Sequence, residues 1–323
     1  MCGIMGWAGR SPKSFNSDKF NNLGIQNETR GTHSCGVSVD GEIYFGVDDT
    51  KRFRDFLSKG GYPKPTKIPI VVGHTRHATN GSHTMANAHP FGFGDADKHK
   101  DMYAFIGVHN GTLYNSLSLA NHFKIDSTSQ EVGSNNNSFT RNKIDSEILL
   151  EIIFTSKDWK VLSQYNGAAA LMFYNVNEPD TVYLFHGATK KELNGNDKNV
   201  YVERPLFVWQ EHKNSLYISS QKEGLISIGG TEEAITDLTT NVVYKIKNGN
   251  LASASTYRIS RNSQQQDREF FTAAATKNKK AKQTAIDLNA NKSLINGYYD
   301  KGRGGTSPLG FNFPGSSVVG KTN

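Results

Sequence analysis

Cys2 stands beside the initiator methionine, so removal of Met1 would leave a thiol and a free α-amine on one residue. An α-amine titrates near about 8. It can take the thiol proton, directly or through water, and later return it to a leaving group. A Met-Cys pair alone reads better as an ordinary buried or palmitoylated cysteine; the Gly3-Ile4-Met5-Gly6 that follows changes that reading. A second group, Gly73-His74-Thr75-Arg76-His77, ends an apolar run with Arg76, whose planar fork suits a carboxylate. A third, Phe105-Ile106-Gly107-Val108-His109-Asn110-Gly111, closes a strand-like run with a side-chain amide and a glycine. Asn110 Nδ2 and the Gly111 N–H can there form a two-donor oxyanion hole.

The elements that must position these residues read as a mixture. Period-two and apolar runs predict strands over 3–7, 36–39, 42–45, 70–74, 103–108, 168–174, 182–185, 206–209, 215–218 and 242–246. Asp40-Gly41 and Asn248-Gly249 are hairpin signals. Helical spacing predicts 17–23, 49–59, 115–123, 145–154 and 221–228. Asp145 opens its helix as Asp-Ser-Glu before Ile148, Leu149, Ile152 and Ile153, which places a carboxylate at the positive end of the dipole. This much antiparallel pairing excludes a doubly wound parallel sheet and argues α+β. The Asn-rich stretch 127–142 reads as a long polar surface loop.

Taken in order, the islands resemble the class II glutamine amidotransferases, members of the N-terminal-nucleophile hydrolases. Their pattern is Met-Cys-Gly-Ile, Arg-Gly-x-x-Ser-x-Gly, Gly-His-x-Arg-x-x-Thr, Asn-Ala-His-Pro, His-Asn-Gly and Asp-[Ser/Thr]-Glu. Here these are Met1 to Ile4, Arg30 to Gly36, Gly73 to Thr79, Asn87 to Pro90, His109 to Gly111 and Asp145 to Glu147. Gly167 to Leu171, Arg204-Pro205-Leu206 and Ser219 to Lys222 are similar to later, looser segments, so the resemblance spans about residues 2–247. It implies a four-layer αββα sandwich of two antiparallel sheets flanked by helices. It implies Cys2 as nucleophile, Asn110 and Gly111 as oxyanion hole, Arg76 on the glutamine α-carboxylate and Asp145 on its α-ammonium. Thr79 and Arg30 match further positions at the substrate site. The implied activity is hydrolysis of the L-glutamine side-chain amide through a thioester, with ammonia passed to a separate synthetase or transferase. An amidase for another γ-glutamyl amide or peptide and a catalytically silent relative are the alternatives.

No cofactor is implied, and no metal. Six histidines lie between His74 and His109, but the surrounding Gly and Arg fit a backbone-and-guanidinium site better than zinc. Two departures stand out: Thr32-His33-Ser34 replaces the frequent Pro-Asp-Ser, and Cys35 takes a small-residue position where core packing is its expected role. No acceptor-domain signature is present, such as a pyrophosphatase loop or a phosphoribosyl-pyrophosphate motif.

Composition sets the remaining bounds. The 323 residues are 36% hydrophobic and 21% charged, which suits a globular body. Two cysteines make no disulfide framework and point to free thiols in a reducing compartment. No signal peptide and no apolar run near the roughly 20 residues of a spanning helix is visible, so a soluble, cytoplasmic protein off the membrane is expected. Of the net +7, ten Lys/Arg against four Asp/Glu place +6 in residues 261–323 and leave +1 on residues 1–260. Residues 1–260 therefore read as the catalytic domain and 261–323 as a basic, low-complexity tail, where any contact with nucleic acid would fall.

Overall fold

The computed structural model describes residues 2–78, 85–96, 99–132, 138–187, 189–192, 199–202 and 204–260. The expected tail, Thr79 and Met1 lie outside the described residues. Two antiparallel sheets face each other. The first has seven strands, β1 (Gly3–Gly9), β2 (Ser34–Val39), β3 (Glu42–Gly46), β4 (Ile70–Arg76), β13 (Phe207–His212), β14 (Ser215–Ser219) and β15 (Ile235–Asp237), in the order β15-β13-β14-β1-β4-β2-β3. The second has six: β5 (Phe91–Ala96), β6 (His99–Leu113), β9 (Gly167–Asn175), β10 (Thr181–Gly187), β16 (Val242–Lys247) and β17 (Ser255–Arg258), in the order β17-β16-β10-β9-β6-β5. Two hairpins stand apart, β7 (Thr128–Val132) with β8 (Ser138–Asn142) and β11 (Thr189–Glu192) with β12 (Asn199–Val202).

Five α-helices, α1 (Ser17–Asn27), α2 (Phe53–Ser58), α3 (Ser116–Phe123), α4 (Asp145–Ser156) and α5 (Lys222–Ser227), form the outer layers. Alternate residues of each strand face opposite ways, and three apolar clusters follow from that alternation. Ile4, Ala8, Ile70 and Val72 meet Ile106, Val108, Ala170 and Met172 between the sheets. Met5, Trp7 and Val71 face Phe20, Leu23, Phe53 and Leu225 of α1, α2 and α5. Phe105, Leu171 and Phe173 face Leu119, Leu149 and Ile153 of α3 and α4. The result is the αββα sandwich that the resemblance implies. Gly6 matters to its thickness, because a Cβ there would stand 2.3 Å from Met172 Sδ on the opposite sheet. Among the described residues no helix is long and apolar enough to cross a membrane.

The expected strands all appear, most of them longer. Three sheet strands carry no clear sequence signal. β5 reads Phe-Gly-Phe-Gly, which looks like loop, yet the Tyr103 ring of β6 lies over Gly92, where a Cβ would come within 2.3 Å of it. The stretch expected to be a long polar loop, 127–142, instead contains the β7–β8 hairpin. Its base is tied to α4 by a two-pronged Arg141–Glu147 pair (2.7 and 3.1 Å) and by Lys143–Glu151 (2.7 Å).

Candidate active site

Strand parity alone gathers three of the expected residues. In β1 the even positions Ile4 and Ala8 face the second sheet, in β4 Ile70 and Val72 do, and in β6 Ile106 and Val108 do. Continuing each alternation by two residues or four sends Cys2, Asn110 and Arg76 into the space between the sheets at one end of the sandwich. Both Arg76 and Asn110 are buried, at 3% and 2% exposure, and Cys2 is half-buried.

Cys2 is held by its main chain. Its carbonyl accepts from Arg30 Nε at 2.8 Å and from Asn110 Nδ2 at 2.9 Å, so one side chain from each half of the sandwich grips the same oxygen. Arg30 is itself anchored through Nη1 on the Ser220 carbonyl (3.1 Å). Ser220 in turn brackets Ile4, its Oγ accepting from the Ile4 N–H (2.9 Å) and its N–H donating to the Ile4 carbonyl (3.0 Å). Asn27, in the last turn of α1, accepts from Thr75 Oγ1 on its carbonyl (2.8 Å) and donates from Nδ2 to Ser219 Oγ (3.3 Å). Gly3 passes this cluster with no room for a Cβ, which would lie 2.6 Å from Thr75 Oγ1.

The thiol rests against the peptide of His77. The His77 N–H points at Sγ at 3.4 Å, and the His77 carbonyl is the S–H acceptor at 3.5 Å. Burial pushes the Cys2 thiol pKa up, while the His77 N–H and the guanidinium groups of Arg76 and Arg30 pull it down. Cys35 is the contrast. It is buried against the carbonyl of Thr50, and burial pushes its pKa up to about 12, so this thiol is core.

Arg76 and Asp145 supply opposite charges. Burial lowers the Arg76 pKa, and both Cys2 and Asp145 act to raise it, which puts the guanidinium within electrostatic reach of thiol and carboxylate. Asp145 is the first residue of α4 and is half-buried. Its Oδ2 accepts from the Leu113 N–H of β6 at 2.8 Å, so the carboxylate is oriented by a neighbouring strand.

Gly111 follows from ladder geometry. The Tyr114 N–H bonds the Asn166 carbonyl at 2.8 Å, continuing the β6–β9 register. An antiparallel ladder alternates bonded and non-bonded pairs, so the N–H groups of Gly111 and Leu113 point off β9. That of Leu113 finds Asp145, and that of Gly111 lies on an edge where β5, paired only as far as Gly107, no longer covers β6. A Cβ at Gly111 would come 1.9 Å from the Ala168 carbonyl oxygen, so only glycine fits.

Three buried histidines underlie this end. His74 stacks on His89 at 4.2 Å, and His109 Nδ1 bonds Ser146 Oγ at 2.9 Å. Burial lowers the pKa of all three, His74 to about 3, and the charge of Arg76 adds to the effect at His74 and His89. Burial therefore disfavours the charged form of each. No set of three or more His, Cys, Asp or Glu among the described residues is grouped to hold a metal ion.

The structure therefore brings Cys2, Arg30 and Asn110 into direct contact, with Arg76, Asp145 and Gly111 around them. Sequence reasoning missed Asn27 and singled out Ser220 only as part of a loose segment. The available signal for Asn27 was a polar residue four positions after Leu23, on the apolar face of α1.

No family model matches the chain. A glutamine–fructose-6-phosphate aminotransferase (isomerizing) of Zymomonas mobilis subsp. mobilis is 34% identical over 190 residues, covering 56% of this chain and 28% of the relative. The enzyme of the same name from Methanosarcina mazei is 36% identical over 123 residues, covering 37% and 18%. The chain thus spans under a third of the length of these curated relatives. Among solved structures, the glutamine phosphoribosylpyrophosphate amidotransferase of B. subtilis superposes with a TM-score of 0.54 at 17% identity, over 81% of this chain and 50% of that one, a likeness of fold. The sequence matches and the fold support a class II glutamine amidotransferase domain.

Proposed function

We propose that residues 1–260 form a glutaminase domain that hydrolyses the side-chain amide of L-glutamine through Cys2 and supplies the ammonia to a separate acceptor enzyme. The observation that carries this reading is the bond from Asn110 Nδ2 to the Cys2 carbonyl, which puts an amide donor of one sheet against the nucleophile's residue on the other. With Met1 removed, the Cys2 amine takes the thiol proton. Sγ attacks the γ-carboxamide carbon, and the oxyanion is received by the second N–H of Asn110 Nδ2 and the Gly111 N–H. Collapse expels ammonia, protonated by the Cys2 ammonium, and leaves a γ-glutamyl thioester. Water, deprotonated by the same amine, releases glutamate and restores the thiol. Arg76 and Asp145 hold the α-carboxylate and α-ammonium, because a zwitterion needs one cation and one anion at fixed spacing. Arg30 keeps the nucleophile's peptide in place.

Intact-mass analysis before and after 6-diazo-5-oxo-norleucine, a glutamine-shaped electrophile, tests this. The expected result is a chain lacking Met1 that takes one adduct on Cys2, none in Cys2→Ala, and none on Cys35. Retained Met1 with no adduct, or an adduct elsewhere, would overturn the assignment.

A further inference from the structure

We propose that His33 is a positioning residue for the Cys2 thiol, acting through the Arg76–Ala78 backbone. It lies between Arg30 and β2, half-buried, and meets three consecutive residues. Its own N–H donates to the Arg76 carbonyl at 3.0 Å. Its ring stacks on that of His77, with centroids 4.7 Å apart and planes 26° apart. Its Nδ1 accepts from the Ala78 N–H at 2.9 Å. The middle residue of the three, His77, carries the peptide that meets Sγ. Gly31 lets the two segments approach, since a Cβ there would sit 2.3 Å from the Arg76 carbonyl carbon.

The consequence is chemical. A thiolate buried at this depth needs a donor, and the strongest local stabiliser of its charge is the His77 N–H, which shares a planar peptide with the Arg76 carbonyl; the next peptide joins the His77 carbonyl, the S–H acceptor, to the Ala78 N–H, and its tilt fixes how His77 sits against Sγ. His33 grips both peptides, the first by its main-chain N–H and the second by its ring, and only the second grip is lost on substitution. To accept from Ala78 its Nδ1 must be bare, so the ring is neutral with its proton on Nε2 when the clamp is made. His33 occupies the place where the resembled pattern carries an aspartate, and there the imidazole offers one acceptor and one flat face. Its effect on turnover rests on the reading of Cys2 as nucleophile, while its effect on the thiol does not.

The test is the pH profile of Cys2 alkylation by iodoacetamide on the full chain, mapped by peptide mass spectrometry, with Cys35 as the buried reference. His33→Phe keeps a ring against His77 and lacks the acceptor; His33→Asn keeps an acceptor near Nδ1 and lacks the ring. In His33→Phe the Cys2 midpoint is expected to rise by about one unit, with the neutral-pH rate falling about tenfold. His33→Asn is expected to stay within about twofold of wild type, and His33→Ala, which serves if the phenyl ring disrupts the loop, to follow His33→Phe. A wild-type profile in His33→Phe or His33→Ala overturns the proposal. So does a His33→Asn profile equal to that of His33→Phe, since the acceptor would then be irrelevant. Iodoacetamide reports the thiolate without glutamine, so loss of the glutaminase reading would leave this outcome readable.

Discussion

The two sheets hold their share of the site by different means. On the seven-stranded sheet, the start of β1 is pinned by side chains reaching main-chain atoms: Arg30 on Cys2 and Ser220, Ser220 on Ile4, and Thr75 on Asn27. On the six-stranded sheet, Asn110 and Gly111 are placed by the unbroken β6–β9 register from Phe105 to Leu113, with no slack for a larger residue at Gly111. A site residue on the first sheet is thus located by polar bonds that can be removed one at a time, each worth about 1 kcal/mol net. One on the second is located by close packing, where a change must move backbone.

That contrast is sharpest at Asn110, the side chain that crosses between the sheets. Asn110→Ala is expected to lower kcat for glutamine hydrolysis by about 10²- to 10³-fold, the usual cost of an oxyanion donor, with a stability loss of only about 1 kcal/mol. Steady-state kinetics beside urea unfolding separate the two quantities. A variant with wild-type kcat would remove Asn110 from the chemistry and leave it as a strut for Cys2.

Gly111→Ala breaks the comparison from the other direction. The added methyl meets the Ala168 carbonyl oxygen and His109 Nε2, which lie 1.9 and 2.5 Å from where it would stand. The β6–β9 ladder must yield, and a stability loss of about 3 kcal/mol is expected, at the upper end of ordinary overpacking. Unfolding midpoints measure it. A loss under about 0.5 kcal/mol would show that the register has slack there and that donor placement is not a matter of packing.

How far the site is legible in the sequence follows the same division. The islands that carry Cys2, Arg76 and Asn110 are legible as motifs, but β1 and β4 are apolar on both faces, so which face each residue takes is settled only by the observed strand pairing. The side-chain-to-backbone bonds are not legible, because Arg30, Asn27 and Ser220 come from segments about 190 residues apart in places, and no local pattern encodes such a meeting. β5 is hidden because its glycines are compensated by a ring from the next strand. The β7–β8 hairpin is hidden because most of its residues are polar, and its base is linked to α4 by ion pairs, Arg141–Glu147 and Lys143–Glu151, which no periodicity encodes.

The buried histidines give the last and smallest prediction, and they lie where the two sheets meet. His74 comes from β4, His109 from β6, and His89 from the segment before β5. All three have folded pKa values depressed below the usual 6.5, chiefly by burial. Above about pH 8 neither the folded nor the unfolded chain protonates them, and they contribute nothing to the pH dependence. Below it the unfolded chain binds protons that the folded chain refuses, so stability falls as pH falls, down toward the folded pKa of about 3 for His74. Each such histidine contributes a slope of about 1.4 kcal/mol per pH unit once its unfolded form is fully charged. Between about pH 6 and 5 this precedes most carboxylate protonation, so urea midpoints there report the imidazoles. His89→Gln is expected to reduce the slope by the equivalent of one proton. An unchanged slope would mean that His89 charges in the folded state, which the stacked ring of His74 and the nearby Arg76 guanidinium oppose.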